Sequence, residues 1–160
     1  MEQSDNGKYN SVEVAKYIIA YWNEKGSNIN MTKTQKLLYI AYGIWYAVKD
    51  ERLVDEHPQV WPFGPVFPIT REKLLNRDFA TISFNDVVDE ELKNDIEIAS
   101  LMKIIYKSQF GSWAANKLSA WSHQDGSPWE EKTSLPGFAW GEIMDDNRIK
   151  LYFKEVVLKK

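Results

Sequence analysis

An unbroken apolar run at residues 37–48, bounded by Lys36 and Lys49, constrains this chain more than any other feature. A helix that spans a bilayer needs roughly 20 apolar residues. A run of about twelve is too short for that and reads as a buried core helix. Leu37, Leu38, Ala41, Ile44, Trp45 and Val48 form one wide apolar face at helical spacing. Tyr39, Tyr42 and Tyr46 follow at i, i+3 and i+7 on a different side. A helix apolar or aromatic on most sides is either central to its domain or shared with a partner. Thr32 and Gln35 have capping-box spacing, which starts this helix at Thr32.

The remaining pattern is also helical. Asn10 opens a helix, with Glu13 three residues on and Tyr9 and Val14 at the two staple positions; Gly26 stops it. Residues 1–9 read as a flexible tail, leaving residues 10–160 as a single domain. Pro58, Pro62, Pro65 and Pro68 interrupt residues 50–68, yet Trp61, Phe63, Val66 and Phe67 are too apolar for a solvated loop. This segment is expected to be a structured loop pressed onto the core, with Gly64 in a conformation that a β-carbon disfavours. Pro68 starts a short helix ending near Asn76. Residues 77–88 read as a loop with a few extended residues around Ile82. Asp89 caps the longest helix, over roughly residues 90–110, with Leu92, Ile96, Ala99 and Met102 as its stripe. Gly111 ends that helix and Ser112 caps the next. Ser127, Pro128 and Glu130 stand at the cap, first and third positions of another helix, and Asp145 caps the last. No set of alternating strands competes. The expected fold is all-α: a compact bundle of about six short helices with a proline-rich structured loop.

Composition narrows the chemistry. The chain has 160 residues, a length that suits one domain. Seven Trp, eight Tyr and seven Phe exclude disorder over most of it. With no cysteine, disulfides, thiolate catalysis and cysteine-ligated metal are excluded. A net charge of −3 gives no general attraction to nucleic acid or anionic membrane. Lys33, Lys36, Lys154, Lys159 and Lys160 form no basic stripe with interleaved aromatics, so nucleic acid is not an expected partner. Residues 1–10 carry no apolar leader segment, and a cytoplasmic location is expected.

His57 reads as a solvated loop residue. His123, near a helix end, reads as a cap for free carbonyls. His123 with Asp125 would suit a hydrolase, but no nucleophile elbow, zinc-protease motif or phosphate loop accompanies them. Asp145, Asp146 and Asn147 lack calcium-loop spacing and fit a helix cap better. No catalytic residue, metal site or cofactor is assigned. The tyrosine stripe is open to two readings, core packing and partner surface. Tyr39, Tyr42, Tyr46, Trp61 and Phe63 are taken as the partner-binding set.

Four blocks carry a family resemblance. They are residues 14–19 (VAKYII), residues 33–43 (KTQKLLYIAYG), residues 60–68 (VWPFGPVFP), and Leu118 to His123 followed by Ser127, Pro128 and Trp129. In this order, over residues 10–155, they resemble the Panacea (SocA-like) antitoxin domain. Gly64, Pro65, His123, Pro128 and Trp129 fall on its structural motif positions. Thr34, Tyr42 and the pair Trp121 and Ser122 depart from the residues usual there. The resemblance implies an antitoxin, not an enzyme. Such a domain is encoded beside a toxin, often on phage or mobile DNA, and neutralises the toxin by binding. A protease or chaperone is a further partner to consider. A nucleic-acid-binding regulator and a hydrolase using His123 are the rival readings.

Overall fold

A computed structural model describes residues 7–159. The described chain is mainly helical. The order is α1 (Ser11–Glu24), α2 (Met31–Lys49), a hairpin of β1 (Gln59–Trp61) and β2 (Gly64–Val66), and α3 (Pro68–Leu74). Then come α4 (Glu90–Lys93), α5 (Ile96–Lys107), α6 (Gln109–Ser112), α7 (Ala115–Ser122), α8 (Pro128–Thr133) and α9 (Asp146–Tyr152). A π-helical turn, Phe153–Val157, follows α9. The expectation of six helices and no strand is therefore corrected. Nine α-helices and one antiparallel hairpin are present among the described residues.

Helix α2 is the axle of the domain. Leu37, Leu38, Tyr39, Ile40, Ala41 and Tyr42 are all within 1% of complete burial. Helices α1, α5, α7 and α9, strand β2 and the π-helical turn all pack against it. Its cap is Asn30, not Thr32; the Asn30 side chain accepts from the Lys33 amide at 2.8 Å. Gly43 is needed for close approach, because a β-carbon there would stand 2.2 Å from the Phe153 ring.

Helix α1 starts as the sequence implies, with the Asn10 side chain accepting from the Val12 and Glu13 amides. Glu13 does not complete a capping box. Its carboxylate accepts instead from the Val88 and Asp89 amides at 2.7 and 2.9 Å, tying α1 to the segment before α4.

Expectation and structure part at residues 7–9 and 90–110. Tyr9 is buried, and its hydroxyl donates to Asp95 at 2.6 Å, so residues 7–9 are not a free tail. Residues 1–6 lie outside the described residues. The helix expected over residues 90–110 is broken at Asn94 and Asp95. There the Asp95 side chain caps α5 by accepting from the Glu97 and Ile98 amides. The break rotates the stripe, so Ile96 and Ala99 are exposed while Ile98, Leu101, Met102 and Ile105 are buried. Ser108, not Ser112, caps the next helix, and α7 begins without a side-chain cap. Residues 77–88 hold two short 3-10 turns.

Candidate partner-binding site at the hairpin tip

Residues 50–68 fold as a structured segment on the core, and the hairpin is its outermost part. Gln59 pairs with Val66, Val60 with Pro65 and Trp61 with Gly64, leaving Pro62 and Phe63 as the turn. Gly64 has φ +114°, and a β-carbon there would stand 2.5 Å from Ser122 Oγ and 2.7 Å from Lys36 Cε. Both the backbone and the space require glycine. The outer side of β1 is paired as well. The Val60 amide donates to the Glu142 carbonyl at 2.9 Å, and the Gly141 amide donates to the Val60 carbonyl at 2.8 Å.

Buried polar side chains fix the hairpin to its surroundings. The Gln35 side chain accepts from the Phe67 amide at 2.7 Å and donates to the Phe67 carbonyl at 3.2 Å. It acts on Phe67 as a neighbouring strand would. Pro68 occupies the first turn of α3, and the start of α3 has no side-chain cap of its own. Glu56 supplies one from a distance: its carboxylate accepts from the Ile69 and Thr70 amides and the Thr70 and Ser11 hydroxyls. A negative charge at a helix start is stabilising.

Three of the four sequence blocks that carry the family resemblance meet here in space. Lys36 on α2 donates to the Pro65 carbonyl at 3.0 Å. Trp129 on α8 donates to the Trp61 carbonyl at 2.8 Å, and its ring stacks on His123 at 3.8 Å and 15°. Ser127 caps α8, with Pro128 at its first position. The Arg71 guanidinium lies 5.6 Å over the Trp61 ring. Burial draws the Lys36 pKa down to about 7. Burial, and then the neighbouring Lys36 charge, lower that of His123.

Phe63 projects from this fixed frame at 74% exposure. A recess lies on each side of it. One, of about 390 Å³, is lined by Lys36, Trp61, Val66, Arg71 and Leu75 among others. The other, of about 490 Å³, is lined by Thr32, Ala115, Asn116, Ser119 and His123 among others. An exposed aromatic ring on a rigid turn between two recesses suits a binding contact.

The tyrosine stripe does not share this surface. Tyr39 is 1% exposed and Tyr42 fully buried, so neither presents a face to a partner; Tyr46 is half-buried. The Tyr39 ring packs edge-on against Phe153, and Tyr42 against Phe67 and Tyr46. The Tyr42 hydroxyl donates to Asp146 at 2.6 Å. Burial raises the pKa of both phenols, and the Asp146 charge raises that of Tyr42 further. Trp61 is half-buried and serves mainly as a wall of the first recess.

The histidines also depart from expectation. Among the described residues the His123 ring bonds no helix carbonyl; it stacks on Trp129, and its buried Nε2 has no hydrogen-bond partner among them. Asp125 is exposed, and among the described residues no hydrogen bond or ion pair joins it to His123. His57 is half-buried, with Nδ1 3.4 Å from Asp146. Asp145 caps α9, as its sequence position implies. Among the described residues, no three His, Asp or Glu side chains cluster as metal ligands would. None of the described helices is long and apolar enough to cross a membrane.

Lys36, Arg71 and Glu56 escaped the sequence reading as parts of this site. The signal for Lys36 was its position one turn before Ile40, on a helix with no polar side.

The described residues form a mainly helical domain with an exposed aromatic ring beside two recesses. Residues 34–130 match the family model described as "Antitoxin SocA-like, Panacea domain". The chain belongs to that family. It is similar to the Antitoxin SocA of Caulobacter vibrioides (strain NA1000 / CB15N), with 29% identity over 117 residues. That match covers 64% of this chain and 59% of the relative, so the chain spans little more than half the length of the curated relative. No solved structure matches the chain.

Proposed function

We propose that this protein neutralises a cognate toxin encoded beside it by direct contact through the hairpin tip, with Phe63 as the anchor. Family membership supports the antitoxin role. The observation that carries the contact is Phe63, 74% exposed on the turn after β1, a strand paired with β2 on one side and bonded to Gly141 and Glu142 on the other. An ordered aromatic loses little entropy on binding, so its buried area converts efficiently into affinity. In this reading the chain performs no chemical step and works in the cytoplasm. The toxin gene is its neighbour, in phage or mobile-element DNA. A protease or chaperone is a second partner for removing the toxin once bound.

Co-expression tests the proposal. The adjacent reading frame is expressed alone, with the wild-type chain and with Phe63→Ser, at limiting antitoxin. Growth arrest by the neighbour, relief by the wild type and renewed arrest with Phe63→Ser are expected. Full relief by a Phe63→Ser chain at the same level would remove the tip from the contact.

A further inference from the structure

The recess between the start of α2, the hairpin and α3 has an unusual lining. Met31, Val66 and Leu75 give it apolar walls, while Arg71 and Lys36 are its only charged members among the described residues, both positive. Among the described residues, no carboxylate lies within ion-pair distance of either. Several other cations of this acidic chain do have such partners, for example Lys49 with Glu97 at 2.5 Å and Arg148 with Glu131 at 2.7 Å.

The two cations are also prepared for a carboxylate. Arg71 lies 5.6 Å over the Trp61 ring at the edge of the recess, and its guanidinium fork matches a carboxylate in two-point contact. Protonated, Lys36 carries three donors, and the structure gives it one acceptor, the Pro65 carbonyl. It is 1% exposed, so its charge is poorly solvated and without a counter-charge. Burial is the sole cause of its lowered pKa.

We infer that this recess receives an acidic segment of the partner protein. An apolar side chain enters beside Val66 and Leu75, and a neighbouring carboxylate pairs with Arg71 and, deeper in, Lys36. The inference rests on the antitoxin reading only for the partner's identity. The chemistry recognised is an apolar residue flanked by Asp or Glu, opposite in charge to the recess.

The test needs no toxin, so its failure and a failure of the antitoxin reading are distinguishable. The ¹⁵N-labelled full chain is titrated with an end-capped Leu-Glu-Phe-Glu-Leu peptide, with its Leu-Gln-Phe-Gln-Leu counterpart and with N-acetylleucine. The acidic peptide should shift the amides of Gln35, Lys36 and Arg71, and the glutamine peptide should bind about tenfold more weakly, as expected for lost charge pairing. Arg71→Glu should abolish the difference between the peptides. Arg71→Gln should reduce it, with the melting temperature unchanged because Arg71 is half-buried at the surface. Equal binding of the two peptides, binding of neither, or shifts confined to other surfaces would overturn the inference. N-acetylleucine binding as tightly as the peptide would overturn it too, leaving a small-molecule carboxylate site.

Discussion

Truncating Tyr42 separates core from contact surface. Its ring is fully buried, packed at 5.6 Å from Phe67 and 6.0 Å from Tyr46, and its hydroxyl holds Asp146 at 2.6 Å. Tyr42→Phe removes one hydrogen bond to a charged group, worth about 1.5–3 kcal/mol. In a chain of this size each kcal/mol shifts the melting temperature by about 2–4 °C. The phenylalanine variant should therefore melt about 3–12 °C lower. Tyr42→Ala also removes the ring and leaves a cavity, at a cost of about 3–5 kcal/mol for an aromatic of this size. Its melting temperature should fall by about 10 °C or more. Circular dichroism melts, with urea titrations beside them, supply both numbers. Toxin affinity of Tyr42→Phe, measured well below its melting point, should stay within about twofold of wild type, since the ring presents no surface. A Tyr42→Phe chain that melts like wild type but binds toxin tenfold more weakly would refute this placement.

Three further perturbations test the frame of the site. Gly64→Val should fold poorly or melt well below wild type, because of its φ of +114° and the contacts with Ser122 and Lys36; unchanged melting would contradict the geometry. Lys36 has a folded pKa of about 7, below its unfolded value of 10.5, so above pH 7 the unfolded chain binds the extra proton and stability rises with pH. Urea unfolding at pH 7 and pH 9 should show that rise in wild type and a smaller one in Lys36→Met, because burial also lowers the Lys33 pKa and Lys33 adds a rise of the same sign; His123, also lowered, acts below that window. His123→Ala should lose about 0.5–1.5 kcal/mol, the scale of one stacked aromatic pair. A turnover activity lost in that variant with the fold intact would restore the hydrolase reading.

Several helix starts were legible in the sequence, while the caps at Asn30, Asp95 and Ser108 and the long-range packing were not. Asn10, Ser127 and Asp145 cap helices, and Pro68 starts one, because a cap acts within three or four residues of itself. The break at Asp95 was hidden because hydrophobic residues continue on both sides of it, and Tyr9, far away in sequence, joins the Glu97 and Ile98 amides in holding the Asp95 side chain. Strands of three residues containing Pro65 leave no alternation to read. The tyrosine stripe was misplaced for a different reason. A helix surrounded on all sides has no polar face to set its orientation, so spacing alone could not tell a second core face from a surface. Lys36 and Glu56 were unreadable as buried groups, because both residue types are ordinarily exposed.

The contact itself is measured most directly by titrating purified toxin into the full chain by calorimetry, comparing wild type with Phe63→Ser. The two proteins should have equal melting temperatures, since a 74% exposed ring contributes little to the fold. Wild type should bind stoichiometrically, and Phe63→Ser should bind at least about 30-fold more weakly, the scale of a hot-spot residue at about 2 kcal/mol. Equal affinities for two equally folded proteins would contradict it.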